Sequence, residues 1–368
     1  MRALLLGSVG LLAYAQAGYG VLLAVLRRLL GARPVQAAPV EPLVTLVIAA
    51  HDEEAVIAAK VANALALEWP RDRLEIVVAS DGSSDRTVEL ARAAGADRVL
   101  DLPRGGKIRA QDAAVRGSEA AVVAFSDANA LWEPDALRRL VAVFNDPEVG
   151  YACGQVAFVN EAGTNQEGLY WRYEMWLRAM ESDLASVTGG NGAIYAVRRE
   201  AYVEVDPIMG HDLSFPFTMV KNRWRAVYVP EARATEKMVP SIEGEFARKR
   251  RMMSHGWPIV VRGGLADPRG YPPRYALMIA SHRLLRYATP FLHLLALGAT
   301  LARWREHRLL LAAQLGLLGA AAAGGRLRAR PLLVARYYVL TTSALAAGLL
   351  DWLRHGTQAG WDQPEGTR

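Results

Sequence analysis

The chain has 368 residues, with 43 Lys or Arg against 37 Asp or Glu, for a formal net charge of +6. Hydrophobic residues make up 52% and charged residues 22%, too apolar for a disordered chain and high for a purely soluble enzyme. The single cysteine, Cys153, excludes an intrachain disulfide and a cysteine-based zinc site.

Residues 3–26 carry no charge between Arg2 and Arg27. A helix of that length crosses a hydrocarbon core of about 30 Å with some tilt. It is also longer than a signal-peptide core of about 7–15 residues. Residues 1–36 therefore read as a retained membrane helix and linker rather than a cleaved leader. Arg27, Arg28 and Arg33 put the following segment on the cytoplasmic side by the positive-inside rule.

Residues 37–242 read as one α/β domain. Leu43–Ile48 and Leu74–Ala79 are short β-rich apolar runs, the pattern of strands buried on both faces. Helical patterns follow at 53–66 and 86–94. Val99-Leu100 suggests a short third strand, Lys107–Gly117 a helix, and Ala121–Phe125 another buried strand. Alternating strands and helices predict a mostly parallel sheet with ligands at the carboxyl ends of its strands. Acidic and small polar residues sit at those ends: His51-Asp52-Glu53-Glu54, Asp81-Gly82-Ser83-Ser84-Asp85 and Asp127-Ala128-Asn129. Taken alone, Asp52 and Glu53 equally suit the cap of the next helix. There is no Gly-x-Gly-x-x-Gly or Walker pattern, against a dinucleotide or P-loop enzyme.

Further on come Arg104-Gly105-Gly106-Lys107, the Gly-rich run Thr188-Gly189-Gly190-Asn191-Gly192, Gly210-His211-Asp212 and the basic run Arg248-Lys249-Arg250-Arg251. Only five residues in the chain are Lys, which makes Lys107 more informative than usual. Between 244 and 286 nine Lys or Arg face only Glu245 and Asp267, so residues 243–286 read as a basic amphipathic segment at an anionic membrane surface. Nucleic-acid binding is not expected, because no recognised module accompanies the charge. Residues 287–302 and 309–325 are uncharged and 331–350 hold only Arg336, so residues 287–352 read as two to three membrane helices, each near or below the spanning minimum. Residues 353–368 form a polar tail.

In order and spacing these motifs resemble glycosyltransferase family 2 enzymes of the GT-A fold, over about residues 40–260. The likeness is strongest to the membrane-embedded branch that contains cellulose, hyaluronan and poly-N-acetylglucosamine synthases. The resemblance implies that Glu53, Asp81, Lys107 and Arg251 hold the nucleotide diphosphate, and that Asp127 with Asn129 binds Mg²⁺ or Mn²⁺. It implies that Gly190 and Asn191 line the acceptor end and that Asp212 is the base of an inverting transfer. The donor expected is a nucleotide-sugar, with UDP the usual carrier and GDP open; the acceptor is a lipid or membrane-proximal glycan.

The sequence departs from the family's pattern in four places. Asn129 stands where a second Asp is usual, and His211 where an acid precedes the base. Arg248 replaces a Gln, and Met252 replaces the Trp that stacks on the acceptor sugar, leaving Trp257 as the candidate for that role. These departures favour single transfer over a processive synthase, and leave a non-catalytic scaffold subunit as the rival from another class. The location expected is a bacterial plasma membrane, with the catalytic domain cytoplasmic.

Overall fold

The computed structural model of the protein describes residues 2–159, 168–237, 242–327 and 329–357. The strands are β1 (Val44–Ala50), β2 (Leu74–Asp81), β3 (Arg98–Leu102), β4 (Val122–Asp127), β5 (Leu131–Trp132), β6 (Val149–Val159), β7 (Tyr195–Arg198) and β8 (Arg225–Lys237). They form one sheet in the order β3-β2-β1-β4-β7-β6-β8-β5. Strands β3, β2, β1 and β4 pair in parallel. Strand β7 runs antiparallel between β4 and β6, β8 pairs parallel with β6, and β5 closes the edge antiparallel to β8. The mostly parallel α/β sheet expected from the sequence is present, with β7 as its reversal.

The helices are α1 (Arg2–Leu30), α2 (Ile57–Leu65), α3 (Thr87–Ala93), α4 (Lys107–Arg116), α5 (Ala136–Ala142), α6 (Leu169–Leu184), α7 (His211–Lys221), α8 (Ile242–Val261), α9 (Pro273–Ala302), α10 (Arg308–Ala323) and α11 (Arg330–His355). Every residue of β1 is buried, which explains why Thr45 is its only polar side chain. Its side chains divide between two cores. Leu46 and Ile48 pack with Ile57, Val61 and Leu140 on one face. Val47 packs with Ala114, Phe125, Tyr195 and Phe215 on the other.

A third core joins the sheet domain to the apolar helices, with Tyr19 and Leu23 of α1 against Leu177, Phe217, Trp257, Tyr275 and Tyr287. Helices α1, α9 and α11 are long and apolar enough to cross a membrane, while α10 is shorter. The second spanning candidate therefore differs from the sequence expectation: it begins at Pro273, not near residue 287. The charges that seemed to end the apolar stretch are engaged inside the fold. Arg286 pairs with Glu174 at 2.8 Å, and Arg283 donates to the Thr188 carbonyl at 3.1 Å. The basic segment 243–286 is accordingly two elements, α8 and the first half of α9. The expected boundary at residue 242 adjoins residues 238–241, and most of the 353–368 tail is residues 358–368; both of these stretches lie outside the described residues.

Candidate active site

The carboxyl ends of β1, β2 and β4 lie side by side, with Ala50 opposite Ser80 and Ala49 opposite Asp127. Glu53 is fully buried there, and its amide donates to the Thr87 hydroxyl at 2.7 Å. Asp52 does not cap α2. It takes a positive φ of 50° and accepts from the Ser84 amide at 2.7 Å, binding the β1 end to the β2 turn. Asp81 is almost completely buried, and its carboxylate accepts from the Gly105 and Gly106 amides at 2.6 and 2.9 Å. The residue expected to hold the nucleotide diphosphate is thus the anchor of the Arg104–Lys107 stretch.

Lys107, the first residue of α4, forms an ion pair with Asp127 at the end of β4. A Cβ on Gly192 would stand 3.8 Å from the Lys107 Nζ and 4.0 Å from Asp127 Oδ2, so this glycine leaves open space beside the pair. Asn129 is half-buried in the turn after Asp127. One carboxylate and one carboxamide offer the oxygen donors that Mg²⁺ or Mn²⁺ prefers, but only part of a coordination shell. Among the described residues no group of three or more His, Cys, Asp or Glu is arranged to hold a metal. These residues fit a cation that completes its shell on substrate phosphates.

Two groups that sequence reasoning passed over stand behind this turn. Lys60 is buried on α2 and donates to the Ala130 carbonyl at 2.6 Å. Burial lowers its pKa to about 7, against the pull of Asp127 and Glu236. Glu236, on β8, is pushed up to about 7 by burial and the Asp127 charge, with Lys107, Arg248 and Lys60 opposing. Asn63, three residues after Lys60, exchanges two hydrogen bonds of 2.9 Å with the Trp132 backbone. The available signal was a Lys and an Asn three apart on an otherwise apolar helix, too common a pattern to single out.

Across the site, the Gly190 amide donates to the Asp212 carbonyl at 2.6 Å, so the Gly-rich run lies directly on the start of α7. Its glycines are needed chiefly for protein contacts. A Cβ at Gly190 would overlap the Tyr151 hydroxyl, and one at Gly189 the Arg283 guanidinium. Asn191 Oδ1 accepts from the Ala193 amide at 3.1 Å, closing its own turn. Asp212 is half-buried on the first turn of α7, within electrostatic reach of His255 and Tyr287. His211 is buried, stacks on Phe215 with centroids 3.8 Å apart, and meets the Tyr195 hydroxyl at 2.8 Å. Burial and the nearby Lys107 charge hold its pKa well below the usual histidine value, so it is a neutral group in an aromatic box.

Arg251 is half-buried on α8, and His255 feels both its charge and that of Asp212. Trp257 is not at the site. Its ring is 9% exposed and packs edge-on against Tyr287 with centroids 4.9 Å apart, while its N–H donates to the Leu345 carbonyl at 2.8 Å. With its face covered and its donor used, it belongs to the helix interface and not to a sugar platform. The cavity lined by Thr45, Arg73 and Glu75 lies at the opposite, amino ends of the strands.

A mixed sheet with acidic residues at its parallel strand ends, faced by a Gly-rich run and a helix-borne carboxylate, defines a GT-A-type domain. Residues 45–205 match the family model described as glycosyl transferase family 2. That matched segment is similar to glycosyltransferase family 2 domains, and curated glycosyltransferases resemble the chain beyond it. It is 27% identical over 300 residues to a beta-monoglucosyldiacylglycerol synthase of Synechocystis, covering 72% of this chain and 60% of that protein. It is 28% identical over 232 residues to an N-acetylglucosaminyltransferase of Mesorhizobium japonicum, covering 57% and 54%. The chain thus spans little more than half the length of these curated relatives. In fold it is similar to a mannosyltransferase of Pyrobaculum calidifontis solved with GDP-mannose and Mn²⁺, with a TM-score of 0.74, 24% identity, and coverage of 95% and 99%.

Proposed function

We propose that this chain is an inverting glycosyltransferase that moves a sugar from a nucleotide-sugar to a lipid or membrane-proximal glycan. The observation that carries this reading is that the run 188–192 meets the Lys107–Asp127 pair at Gly192 and the Asp212 backbone at Gly190. Donor groups and a candidate base thereby border one space. Asp212 takes the proton from the acceptor hydroxyl as its oxygen attacks the anomeric carbon. The bond from that carbon to the diphosphate breaks, and the nucleoside diphosphate leaves. Lys107 and Arg251 hold the charge on the departing diphosphate; a guanidinium fork suits phosphate oxygens. A divalent cation held by Asp127 and Asn129 would neutralise further charge there. Residues 37–242 form the catalytic unit in this reading, with α1, α9 and α11 holding it to a membrane, the cytoplasmic side being the proposed one.

The lipid acceptor draws support from the name of the Synechocystis relative. A UDP-linked donor follows the family resemblance, while the solved neighbour was bound to GDP-mannose, so both nucleotides belong in the test. The test is a donor panel supplied to purified protein with membrane lipid extract, in Mg²⁺, Mn²⁺ or EDTA. We expect metal-dependent release of nucleoside diphosphate from one donor, and a product carrying a single sugar. Asp212→Asn should reduce transfer by about 10²-fold or more while nucleotide binding persists. Binding without release under every metal would favour the scaffold reading, whose specific support is Asn129 and His211. A ladder of many sugars would favour the processive one.

A further inference from the structure

The run Thr188–Asn191 is gripped by two arginines. Arg178, on α6, donates to the Gly190 carbonyl at 3.0 Å, and its guanidinium lies over the Tyr228 ring, 5.6 Å from the centroid. Arg283, on α9, donates from Nε to the Thr188 carbonyl at 3.1 Å and to the Thr188 hydroxyl at 2.9 Å. Its guanidinium fills the space that a Cβ on Gly189 would take. These contacts leave donors over. The two terminal nitrogens of Arg283 have no hydrogen-bond partner among the described residues, and neither is sealed from solvent. The other terminal nitrogen of Arg178 has only the Met175 thioether, at 3.8 Å.

Neighbouring guanidiniums are treated differently by the fold. Arg286 rests on Glu174 at 2.8 Å, Arg248 on Glu245 at 2.8 Å and Arg250 on Asp351 at 2.6 Å. Neither Arg178 nor Arg283 has a carboxylate within ion-pair distance among the described residues. Glu181 feels the Arg283 charge without touching the guanidinium; the Thr188 hydroxyl stands between them and donates to that carboxylate at 2.9 Å. Glu181 is itself taken up by the Tyr19 hydroxyl at 2.6 Å, the Thr188 amide at 3.0 Å and His282 at 2.6 Å.

Position says which ligand these donors face. Arg283 lies in a helix long and apolar enough to cross a membrane, within its π-helical turn Ile279–Leu284. A cation in such a helix with no carboxylate partner marks a ligand site, and π-turns recur at functional positions. The donor groups meet the run at Gly192, whereas the arginines meet it at 188–190, beside the Asp212 backbone. We infer that Arg178 and Arg283 form an anion seat on the membrane side of Asp212, and that it takes the phosphate ester of an acceptor lipid. This deepens the transfer reading above and rests on it. The acceptor class it names is a phosphorylated lipid, not neutral diacylglycerol.

The test measures binding, so it can succeed or fail whether or not a donor is ever turned over. Full-length protein in a neutral detergent is titrated with dioctanoyl phosphatidylglycerol, dioctanoylglycerol and inorganic phosphate, and separately with UDP and GDP. We expect the phospholipid to bind about tenfold or more tighter than dioctanoylglycerol, the scale of one charged hydrogen bond. Arg283→Gln and Arg178→Gln should each remove about tenfold of that preference and leave nucleotide affinity unchanged. Arg283→Lys, which keeps charge but loses the fork, should retain part of it. A thermal midpoint measured for each variant separates loss of the seat from loss of the fold, and the wild-type comparison stands without any variant. Equal binding of the two lipids would overturn the proposal. So would inorganic phosphate binding as well as the phospholipid, or a loss of nucleotide affinity in Arg283→Gln, which would assign the seat to the donor diphosphate.

Discussion

At the scale of single residues, the site is a crowd of charges whose balance a few substitutions should reveal. Glu236 has its folded pKa raised from 4.5 to about 7, so between those pH values the folded state binds more protons than the unfolded one. Stability from this group is therefore present at low pH and is lost as pH rises toward 7. Lys60 is lowered from 10.5 to about 7, so its burial costs most below 7 and the cost fades as pH rises toward its unfolded value. Replacing the carboxylate isolates the first effect. The melting midpoint of Glu236→Gln, relative to wild type, should become more favourable from pH 5 to pH 8; a flat difference would remove Glu236 from the account. The proposed cation site at Asp127 and Asn129 makes a separate prediction. With one carboxylate and one carboxamide, Mn²⁺ alone should bind weakly, and titration calorimetry should show nucleoside diphosphate and Mn²⁺ each tightening the other, because phosphate oxygens complete the shell. Asp127 could be read from the sequence because it ends a recognisable buried strand. Lys60 and Glu236 could not, because their meaning lies in being buried near Asp127, and Lys60 is 70 residues away from Ala130, the carbonyl it holds.

At the scale of elements, the Gly-rich run shows that a glycine can be required for a reason other than the one its sequence suggests. The family resemblance implies that Gly190 lines the acceptor end of a site. At 189 and 190 the space for a Cβ is taken by Arg283 and the Tyr151 hydroxyl, and only Gly192 opens on the donor groups. The buried Tyr151 hydroxyl makes no hydrogen bond of ordinary geometry among the described residues, with only the Asn191 backbone and the Cys153 thiol near it. Gly190→Ala should therefore displace the run, weaken the Gly190–Asp212 bond and lower transfer by more than about tenfold; overpacking of this kind typically costs about 1–3 kcal/mol. Tyr151→Phe alone should cost little, since it removes a polar atom that makes no hydrogen bond of ordinary geometry. Added to Gly190→Ala it should restore part of the activity, and the double-mutant cycle reads that coupling directly. The start of α9 teaches a related lesson. Charges at 283 and 286 look like helix-ending punctuation in a linear reading, yet they are internal to a helix because their partners sit on α6 and on the run after it.

At the scale of the whole molecule, the apolar helices share a core with the sheet domain. Tyr19 of α1 donates to the buried Glu181 at 2.6 Å, Arg27 pairs with Asp183 at 2.5 Å, and Gly20 packs so closely that a Cβ would stand 2.7 Å from the Tyr173 hydroxyl. Glu181 in turn holds the Thr188 amide at 3.0 Å. Tyr19→Phe should lower stability by about 1.5–3 kcal/mol, the range for a hydrogen bond to a charged group, and thermal unfolding in detergent checks it. Its kcat should fall further than its donor KM changes if, as proposed, the end of the run that Glu181 holds faces the acceptor; an altered donor KM with kcat intact would contradict that path. The sequence by itself determined the apolar N-terminal helix, the buried parallel strands with acidic ends, and the Gly-rich and Asp212 positions in their order. These are local signals, set by run length, periodicity and residue type within about ten neighbours. Only the tertiary structure decided that Asp81 is spent on a backbone turn, that Trp257 is a core residue, and that α9 begins at Pro273. It also decided that Arg178 and Arg283 keep donors to spare. The physical reason is common to all four: a polar group's role depends on which partner satisfies it once buried, and those partners come from residues distant along the chain.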